Sequence, residues 1–581
     1  MQKKLFLASA IMMAGLHAEA QTIAPDYKEA ANGNPISANI FCADPTALEY
    51  NGRLYVYGSN DHQQFIKNGK KGENNYGEIK SIVVFSTDDM ANWTFHGTID
   101  TKKLCSSWVT SPWYQGYGVS WAPSVTWRTT EDGTDEFFLY FANTSHGVGV
   151  LKANSPTGPW KSPLKESMIN RDTPGALPCN WIFDPGVVID ENGVGWISFG
   201  GGDPNEEGND IQPNNARIAK LNAEMTGLDG SAVKIPAPYH FEASELNIIN
   251  GKFVYTYCSS WAGRNDSDWN NYKKENGTTE SKPNACTMCY MVSDTPLEPS
   301  SWLYKGVYGN HTGTSPNNHS HLHKFNGNYY YIYHNGGLLE GMKKAKAVDD
   351  KTSTYRSICV NRATVDEETQ TIKPVSMTTT GISNNTAIKK QNPYEYHEAE
   401  TMSTCGGVSY EDFRNHASKP SVNALGNECS INLYVKMAEN AWTLVRNVDF
   451  GTEGPKSFIL KARGSGTLRI MKTKTSEPLA TIEFSSTTFD EQVFEVDPAK
   501  FAGATNLLFA FSNVNNVRFD AWQFSTEEAS GIKTTHAAPV TVTQRYDLSG
   551  RRIDDKSAQR GIVIEQYQDA NGNKHSRKLK K

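Results

Sequence analysis

Three acidic residues, Asp44, Asp184 and Glu242, each lie within three positions of a phenylalanine in an otherwise apolar stretch of the chain. Acidic side chains are rarely buried unless they are paired, so carboxyl groups in such settings are not expected to be ordinary solvated charges. Burial and a neighbouring like charge would raise the pKa of at least one of them. Two carboxyl groups whose pKa values are pushed apart form an acid–base pair, and hydrolysis of a glycosidic bond needs such a pair. The competing interpretation is that these acids cap loops or bind a cation.

A repeated pattern of turns and strands surrounds these acids between residue 21 and about residue 390. Five Asn-Gly or Asp-Gly pairs, each followed by an aromatic or β-branched run, begin at Asn51, Asp132, Asn192, Asn250 and Asn326. Such pairs favour two-residue hairpin turns because Asn, Asp and Gly tolerate positive φ, and the runs after them favour strands. The turns recur at intervals of 81, 60, 58 and 76 residues, which predicts the four-stranded blades of a five-bladed β-propeller. A series of β-sandwiches with coincidental turns is the alternative.

The offset of each candidate residue from its turn predicts where the blade places it. Asp44 precedes Gly52 by eight residues, Asp184 precedes Gly193 by nine, Glu242 precedes Gly251 by nine, and His319 precedes Gly327 by eight. The first strand of each propeller blade lines the central channel, so near-equal offsets imply equivalent positions around one axis. We therefore expect the three acids and His319 to converge at one mouth of the channel.

The composition of the 581-residue chain limits the classes of partner. Lys and Arg number 57 against 63 Asp and Glu, a net charge of −6, so there is no basic excess of the kind that nucleic-acid binding requires.

The first twenty residues have the pattern of an export signal, with Lys3 and Lys4, an apolar run over 5–16, and Ala18-Glu19-Ala20 as a cleavage site. No transmembrane segment is expected, and the mature protein is predicted to be periplasmic, at the cell surface or secreted. Among the nine cysteines, Cys405 and Cys429 are a candidate disulfide pair, and the oligomeric state is not predicted.

The pattern of the chain changes near residue 390. From 394 to 526 it is typical of a separate β-sandwich, because Phe458, Leu460 and Ala462 recur at every second position. In this interpretation Gly464-Ser465-Gly466 turns the chain before a second alternating strand. Residues 527–581 are polar and form a C-terminal tail. The predicted fold class is therefore all-β, with a propeller over 21–390 followed by a β-sandwich of the jelly-roll type.

Eight short motifs between about residues 35 and 385 occur in a fixed order. They are Ala43-Asp44-Pro45, Gly52-Arg53-Leu54-Tyr55-Val56-Tyr57-Gly58-Ser59, Trp121-Ala122-Pro123-Ser124-Val125, Phe183-Asp184-Pro185-Gly186, Phe241-Glu242-Ala243, Asn318-His319, Tyr329-Tyr330-Tyr331-Ile332-Tyr333-His334 and Tyr355-Arg356-Ser357. Their order and spacing together resemble glycoside hydrolase family 43, five-bladed β-propeller enzymes that trim xylan and arabinan.

This resemblance implies that Asp44 is the general base, Glu242 the general acid and Asp184 the residue that modulates the pKa of that acid and orients it. Enzymes of this kind invert the anomeric centre, so the carboxyl groups of the base and the acid are expected to lie roughly 6.5–9.5 Å apart. Glu245 is the competing candidate for the acid. We favour Glu242, because residues three apart on a strand point to opposite faces.

The same resemblance suggests further residues around the catalytic acids. Arg356 resembles an arginine near the bound sugar, although a structural salt bridge is the alternative. His319 resembles a channel histidine that helps to bind calcium, with a plain core histidine as the alternative. Independently of the resemblance, Trp121 belongs to an aromatic cluster in a loop-rich stretch, and such rings can stack on sugar rings, with core packing as the alternative. The other members of the cluster are Trp108, Trp113, Tyr114 and Tyr117.

The later segment resembles carbohydrate-binding module family 6, a calcium-containing β-sandwich, through His397-Glu398-Ala399-Glu400, Trp442, Val448-Asp449-Phe450-Gly451 and Phe519-Asp520-Ala521-Trp522-Gln523-Phe524. Glu398, Glu400 and Asp520 resemble its structural calcium ligands, since this ion prefers oxygen. Arg518 stands where the family often has a sugar-binding asparagine, and Ala521 where an aromatic residue is common. The usual sugar cleft is therefore in question, and Trp442 is expected to lie in the core.

The pairing of the two resemblances implies an arabinofuranosidase that removes α-L-arabinofuranosyl side chains from arabinoxylan or a related plant hemicellulose. A β-xylosidase acting on xylo-oligosaccharides is the alternative enzyme, and a non-catalytic glycan-binding propeller is the alternative outside catalysis. The tail, with Tyr546-Asp547-Leu548-Ser549-Gly550 and Arg560-Gly561-Ile562-Val563-Ile564, resembles the C-terminal sorting segments of exported Bacteroidetes proteins.

Overall fold

The computed structural model describes residues 23–29, 33–69, 71–105, 119–202, 209–382, 389–412, 421–422, 428–429, 433–529, 541–546, 562–568 and 574–580. The chain divides into two compact units, one ending at Thr526 and the other beginning at Glu527. The predicted export signal over 1–20 lies outside the described residues. In the described part of the chain, no helix is both long enough and apolar enough to cross a bilayer.

Five antiparallel sheets follow one another along the first unit and form a five-bladed β-propeller. Blade 1 contains β1 (Ala43–Tyr50), β2 (Arg53–Ser59), β3 (Ile82–Thr87) and β4 (Trp93–Ile99). Blade 2 contains β5 (Trp121–Thr129), β6 (Asp135–Ala142), β7 (Gly147–Ala153) and β8 (Ile169–Asn170). Blade 3 contains β9 (Gly186–Ile189), β10 (Gly195–Phe199), β11 (Arg217–Leu221) and β12 (Leu228–Lys234). Blade 4 contains β13 (His240–Ile249), β14 (Lys252–Ser259), β15 (Met288–Ser293) and β16 (Leu303–Gly309). Blade 5 contains β17 (Ser320–Phe325), β18 (Asn328–Asn335) and β19 (Ser357–Ala363), followed by the short pair β20 (Val365–Asp366) and β21 (Thr371–Ile372).

Few helices interrupt this arrangement of strands. The α-helices are α1 (Asp61–Asn68), α2 (Thr101–Leu104), α3 (Asp266–Asn276) and α4 (Gly337–Lys344). Single 3₁₀ turns span Tyr76–Glu78, Pro299–Ser301 and Pro498–Lys500. Each of these α-helices lies between strands of the propeller, so in the described part of the chain the loops of the blades carry the α-helical structure.

The five predicted turns each join the first strand of a blade to the second. In blades 1, 4 and 5 both residues of the Asn-Gly pair have positive φ, as in Asn51 (50°) and Gly52 (72°), which matches the predicted two-residue turn. In blades 2 and 3 only the glycine does, and the loop is longer, closed by the Gly193 N–H on the Asp190 carbonyl at 2.9 Å in blade 3. Blades 2 and 3 therefore depart from the two-residue turn that we predicted for them.

Apolar contacts between neighbouring blades close the ring. Alternate residues of the second strands face opposite neighbours: Val56 packs toward blade 5 and Tyr57 toward blade 2. In blade 2, Phe137 and Leu139 likewise pack toward blade 1, and their neighbours on the strand pack toward blade 3. Both faces of these strands are buried, which explains why they are continuous apolar runs in the sequence.

The segment before β1 completes the ring by pairing with β19 of blade 5. The Ile36 N–H donates to the Ile358 carbonyl at 2.9 Å, and the Cys42 N–H donates to the Arg356 carbonyl at 2.9 Å. The Asn34 side chain also bonds both backbone groups of Val360, at 2.8 and 3.1 Å. The N-terminal segment thus joins the last blade to the first.

A second sheet of seven strands follows the propeller in the same compact unit and surrounds its own apolar core. Its strands are β22 (His397–Glu398), β24 (Thr404–Asp412), β27 (Leu433–Asp449), β28 (Ser457–Met471), β29 (Ala480–Ser486), β30 (Glu491–Glu495) and β31 (Ala504–Ser525). The short strands β23 (Thr401–Met402), β25 (Ser421–Val422) and β26 (Glu428–Cys429) lie outside this sheet.

The predicted turn at Gly464-Ser465-Gly466 is wrong, because β28 continues through it as one strand. Gly464 has a φ of 104°, and the register with β31 shifts on both sides of Ser465. Glycine here bends the strand without ending it. Trp442 is fully buried, as expected for a core residue. Cys405 is buried, whereas the side chain of Cys429, its candidate disulfide partner, lies outside the described residues.

The propeller and the later sheet share hydrogen bonds within the first unit. Strand β23 pairs with β4 and adds a fifth strand to blade 1. The buried Lys28 Nζ donates to the Ser403 carbonyl at 2.9 Å, and the Trp442 Nε1 donates to the Ala24 carbonyl at 2.7 Å. In the turn between β3 and β4, the Asn92 side chain bonds both backbone groups of Arg446, at 2.8 and 3.0 Å.

The second unit contains a three-stranded antiparallel sheet in the region predicted to be a polar tail. Its strands are β32 (Thr541–Tyr546), β33 (Ile562–Gln568) and β34 (Lys574–Lys580). Its polar composition did not predict this sheet.

Candidate active site

A shared backbone irregularity places the candidate acids at the start of the first strand of their blades. Asp44, Ala122, Asp184 and Ala243 all have positive φ, between 37° and 62°. In blades 1, 2 and 4 the register of the strand pair shifts at this residue, as it does at a β-bulge. Such backbone is costly for residues other than glycine and concentrates at functional sites.

The bulge shows that the predicted equivalence of positions is only partly correct. Asp44 and Asp184 occupy the same bulge position, whereas Ala243 occupies it in blade 4 and Glu242 precedes it. The count from the turn failed because blade 3 has a longer turn than blades 1 and 4. Glu242 therefore corresponds to Trp121 of blade 2, one residue before the bulge.

Asp44 is buried and bonded through both carboxylate oxygens. Its Oδ1 accepts from Arg356 Nη1 at 2.8 Å, and its Oδ2 accepts from Ser59 Oγ at 2.7 Å. Ser59 Oγ also accepts the Ala122 N–H at 2.9 Å, so one hydroxyl joins the bulges of blades 1 and 2. The Asp44 N–H donates to His334 Nδ1 at 3.0 Å, and Nε2 of this ring then donates to the Asn317 carbonyl at 3.2 Å.

These contacts keep Asp44 ionised. Burial alone would raise the pKa of Asp44, but the Arg356 charge, the neighbouring histidines and the Ser59 hydrogen bond outweigh it and hold the pKa at about 2. Burial lowers the pKa of His334 to about 3 and that of His319 to about 4, so both rings are neutral at pH 7. Arg356 is therefore the positive charge that stabilises the Asp44 carboxylate.

Arg356 pairs with two carboxylates. It is only 3% exposed, and besides Asp44 it binds Asp61 through Nε and Nη2, both at 2.9 Å. Its guanidinium also lies over the Tyr76 ring at 4.5 Å from the centroid. These contacts favour the salt-bridge interpretation of Arg356 over direct sugar binding, since a buried arginine with paired donors positions the base.

Asp184 holds the backbone beside Glu242. Its Oδ2 accepts the Ala243 N–H at 2.8 Å, so blade 3 holds the bulge of blade 4. Burial raises the pKa of Asp184 to about 8; the Ala243 N–H opposes this rise and the Asp44 charge adds to it. Asp184 is thus poised near neutral pH and is placed to orient the residue that precedes Ala243.

Glu242 is half-buried, and its carboxyl group favours the protonated form. Burial raises its pKa well above the ordinary value, and the charges of Asp184 and Asp44 add to this rise. Its Oε1 is buried and accepts no hydrogen bond from the residues that the structure describes. A protonated carboxyl group with an unused oxygen can donate a proton to a substrate oxygen.

Glu245 lies in the next layer of the channel, away from the mouth. It is fully buried; its Oε2 lies 3.5 Å from Ser124 Oγ, and its Oε1 lies 3.2 Å from His321 Nδ1. A Cβ on Gly186 would meet the Glu245 Cα at 2.5 Å, so the backbone of blade 3 packs directly on this residue. The register shift between the two glutamates thus leaves Glu245 in the channel and not on the opposite face predicted from its spacing. Because Glu245 is buried there, Glu242 is still favoured as the residue that can reach a substrate.

Two further predicted residues surround this mouth. His319 is buried, with Nδ1 3.8 Å from Asp44 Oδ1. Trp121 is half-buried, and its Nε1 donates to the Tyr76 carbonyl at 2.8 Å. The remaining members of the predicted aromatic cluster, Trp108, Trp113, Tyr114 and Tyr117, lie outside the described residues.

The three predicted module ligands meet where β22 pairs with β31. Glu400 and Asp520 are buried, and each has a carboxylate oxygen without a hydrogen-bond partner among the described residues. Burial raises the pKa of Glu400 well above its ordinary value, and the charges of Glu398 and Asp520 contribute. Gathered oxygens of this kind suit a cation such as calcium. Among the described residues, however, no group of three or more His, Cys, Asp or Glu side chains is placed to bind a metal ion.

Sequence reasoning missed three residues that position Asp44. Asp61 begins α1 and lies behind Arg356, Ser59 ends β2, and His334 lies near the end of β18. Ser59 and His334 stood within the quoted motifs, but nothing local indicated their partners. Asp61 follows Asn60, which caps the helix, and its position resembles that of an ordinary acidic residue in a first helical turn.

The arrangement can carry out acid–base chemistry across a bond. An ionised carboxylate, Asp44, can take a proton from water, and a protonated carboxyl group, Glu242, can give one to a leaving oxygen. The Asp44 charge raises the pKa of both Asp184 and Glu242, so the three groups are electrostatically coupled at one mouth of the channel.

Comparisons with known proteins agree with this geometry. The family model of Glycosyl hydrolases family 43 matches residues 32–369. An Arabinoxylan arabinofuranohydrolase from Bacillus subtilis (strain 168) is 33% identical over 533 residues, which cover 88% of this chain and 96% of the relative. A protein of the same name from Paenibacillus polymyxa is 33% identical over 524 residues, covering 86% of this chain and 75% of the relative. A crystal structure of the family 43 arabinoxylan arabinofuranohydrolase from Bacillus subtilis, in complex with cellotetraose, matches with a TM-score of 0.73 and 30% identity, over 86% of this chain and 99% of that chain.

Proposed function

Because this chain belongs to glycosyl hydrolases family 43, we propose that it is a glycosidase that removes α-L-arabinofuranosyl side chains from arabinoxylan with inversion of the anomeric centre. The two relatives named for arabinoxylan match most of the chain at 33% identity, which supports this substrate. The observation that carries the proposal is that Asp44, paired with Arg356 at 2.8 Å, and Glu242, with a buried oxygen that has no hydrogen-bond partner among the described residues, lie at one channel mouth.

In this proposal Asp44 is the general base. Water attacks the anomeric carbon of the arabinofuranosyl group and loses a proton to Asp44, which Arg356 and Ser59 hold ionised. Glu242 gives its proton to the glycosidic oxygen as the bond to the xylan chain breaks. Asp184 holds the Ala243 N–H and thereby orients Glu242. Proton exchange with solvent then restores both carboxyl groups.

One assay separates this proposal from its alternatives. The protein is incubated with arabinoxylan, arabinan and xylo-oligosaccharides, and the released monosaccharide is identified by chromatography. Free arabinose from arabinoxylan is the expected result. Xylose alone would indicate a β-xylosidase, and no released sugar would indicate a glycan-binding propeller. NMR of the first-formed anomer tests inversion independently.

We propose that residues 394–526 are a β-sandwich of the jelly-roll type that belongs to carbohydrate-binding module family 6. Arg518 and Ala521 differ from the residues that this family often has at its sugar-binding cleft, and their contacts bear on sugar binding. Arg518 Nε donates to Glu411 Oε2 at 2.7 Å, and Ala521 is fully buried. Neither residue offers a sugar contact at the usual place, so a structural role for this module is proposed. Retention of the protein on insoluble xylan after Glu242→Gln would argue for sugar binding elsewhere on its surface.

We propose calcium as a structural ion held by Glu398, Glu400 and Asp520. The unused buried oxygens of Glu400 and Asp520 support this assignment. His319, neutral at pH 7, is proposed as a ligand of a second calcium in the channel, with water completing the shell. Thermal unfolding with calcium and after chelation tests both: calcium is expected to raise the Tm of the wild type by several degrees, and Asp520→Asn to reduce this rise. An unchanged Tm would contradict the assignment.

Export to the periplasm, cell surface or medium remains a proposal that rests on residues 1–20. The mass of the mature protein isolated from the native host tests it, because cleavage after Ala20 removes the first twenty residues.

A further inference from the structure

An exposed tryptophan stands at the same end of blade 4 as Glu242. Strand β14 returns antiparallel to β13 and pairs Ser259 with His240, so Trp261, two residues later, lies at the mouth of the channel. Trp261 is 46% exposed, and it is the one aromatic residue among the four large apolar side chains that are exposed in the described part of the chain. A single exposed apolar side chain is common on protein surfaces, so it is the position of Trp261 at the channel mouth that suits it to a sugar ligand.

The loop that joins blade 4 to blade 5 supports the Trp261 ring. The His311 ring meets it edge to face, with centroids 5.1 Å apart and planes at 78°. His311 is held in turn by the Ser315 carbonyl, 2.9 Å from its Nε2, and by the Gly313 N–H, 3.3 Å from its Nδ1. The loop that carries His311 also supplies Asn317, whose Oδ1 accepts from Arg356 at 3.2 Å. One loop therefore supports the tryptophan and contacts the arginine behind Asp44.

Arg264 fixes the backbone on the other side of Trp261. Its Nη2 donates to the Ser260 carbonyl at 2.7 Å, its Nη1 donates to the Ala262 carbonyl, and its guanidinium lies 4.3 Å from the centre of the Tyr239 ring. The loop is thus held while the indole stays exposed. An aromatic surface held in place before binding loses little freedom when a ligand covers it.

The direction of the reaction identifies which sugar can meet this ring. This step rests on the proposed function, in which Glu242 protonates the oxygen that leaves with the xylan chain. The leaving sugar therefore lies on the blade 4 side of the cleaved bond, and the attacking water lies on the side of Asp44 in blade 1. Trp261 stands on the side of the leaving group.

We propose that Trp261, supported by His311, is a binding platform for a xylopyranosyl ring of the main chain, on the leaving-group side of Glu242. The indole face covers the C–H face of the pyranose, and the sugar hydroxyls stay in solvent. The arabinofuranosyl group binds in the channel mouth between the acids. The platform selects substrates in which the arabinose is attached to a xylan chain.

Binding to an inactivated enzyme tests this platform directly. Glu242→Gln and Glu242→Gln/Trp261→Ala are titrated calorimetrically with an arabinosylated xylo-oligosaccharide and with free arabinose. The second variant is expected to bind the oligosaccharide about tenfold more weakly, and Trp261→Phe in the same background only about twofold to threefold more weakly. His311→Ala removes the support and is expected to weaken binding about threefold. Equal affinity of the two titrated variants for the oligosaccharide would overturn the platform, and an equal loss of affinity for free arabinose would place Trp261 in the arabinose pocket instead.

Kinetics on the active enzyme provide the matched control. Leu303, exposed at the opposite end of the same blade, is changed to alanine for comparison with Trp261→Ala. Trp261→Ala is expected to raise KM for arabinoxylan and to lower the ratio of kcat/KM on arabinoxylan to that on an aryl arabinofuranoside about tenfold. Leu303→Ala is expected to leave this ratio unchanged. An unchanged ratio in Trp261→Ala overturns the inference, whereas a wild type that releases no arabinose overturns the proposed function itself.

Discussion

At the level of single residues, two carboxyl groups of nearly the same intrinsic acidity are driven apart by their neighbours. Asp44 faces a buried arginine and a hydroxyl donor, and its pKa falls to about 2. Glu242 is desolvated by burial and faces Asp184, and its pKa rises well above the ordinary value. Burial disfavours the charged form of both groups, so the sign of the net shift depends on whether a paired cation is present.

Glu242→Gln tests which glutamate protonates the leaving group. Glutamine keeps the shape but cannot donate an acidic proton, so kcat on arabinoxylan is expected to fall at least about 10³-fold with little change in KM. Glu245→Gln is the control on the same strand, three residues along, and is expected to retain most of kcat. Initial rates of arabinose release measure both. The assignment fails if Glu245→Gln is the more damaging change.

The pH profile of Asp184→Asn tests the coupling between Asp184 and Glu242. Above its pKa of about 8, Asp184 is charged and holds the proton on Glu242, so removing this charge lowers the pKa of Glu242. The alkaline limb of kcat/KM, which reports loss of the Glu242 proton, is expected to move about one unit toward lower pH. Rates from pH 5 to 10 measure it. Asp229→Asn, an exposed change in the same blade, serves as the control, and coincident profiles of wild type and Asp184→Asn would refute the coupling.

At the level of elements, the backbone irregularity at the start of the first strands determines which side chains enter the channel mouth. Positive φ recurs in blades 1 to 4 at Asp44, Ala122, Asp184 and Ala243, and in blades 1, 2 and 4 the strand register also shifts there. The second strand of blade 1 ends next to the bulge, and its last two residues contact it closely. In blade 1, Gly58 lies so close to the bulge that a Cβ there would meet the Ala43 carbonyl oxygen at 2.3 Å. The glycine-serine pair that ends β2 is therefore explained by close approach at position 58 and by hydrogen bonding at Ser59.

Gly58→Ala tests the importance of this close approach. The added methyl group must push the Ala43 carbonyl away, which displaces Asp44, so the free energy of unfolding is expected to fall by about 2–4 kcal/mol and kcat at least tenfold. Denaturant unfolding and initial rates measure the two effects. Gly263→Ala is the matched control, because a Cβ there meets nothing within 4 Å. Similar effects of the two substitutions would contradict this account of Gly58.

At the level of the whole molecule, the propeller and the later sheet behave as one compact unit. Strand β23 extends blade 1, and the segment before the propeller contacts the later sheet through Lys28 and Trp442. The two parts thus share backbone hydrogen bonds as well as side-chain contacts. We expect them to unfold together, in contrast to domains joined by a flexible linker.

Asn92→Ala tests this cooperation between the parts. Asn92 is buried in blade 1 and makes two hydrogen bonds to the Arg446 backbone of β27, so its loss leaves buried polar groups unpaired and is expected to cost about 2–3 kcal/mol. Calorimetry is expected to show a single transition at a lower Tm, with activity lost in the same range. Asn154→Ala, which removes one hydrogen bond on the surface, should leave the Tm nearly unchanged. Two separate transitions would show that the parts unfold independently.

The local pattern alone was sufficient to predict the repeated blades. Asn-Gly pairs encode positive φ, and apolar runs encode strands buried on both faces, so turn spacing predicted the five-bladed propeller that the structure has. The apolar surroundings of Asp44, Asp184 and Glu242 likewise indicated burial before any contact was known. These properties depend on residues within a few positions of one another, and the sequence therefore carries them directly.

The partners of the acids were decided only by the tertiary structure. Arg356 and Asp44 are 312 residues apart and meet because the last blade closes against the first. The choice between Glu242 and Glu245 depends on a bulge that shifts the strand register. The loop that begins after Ser259 and carries Trp261 reaches the mouth because β14 runs back along β13. Ring closure and register arise from packing summed over all the blades, so no local stretch of residues encodes them.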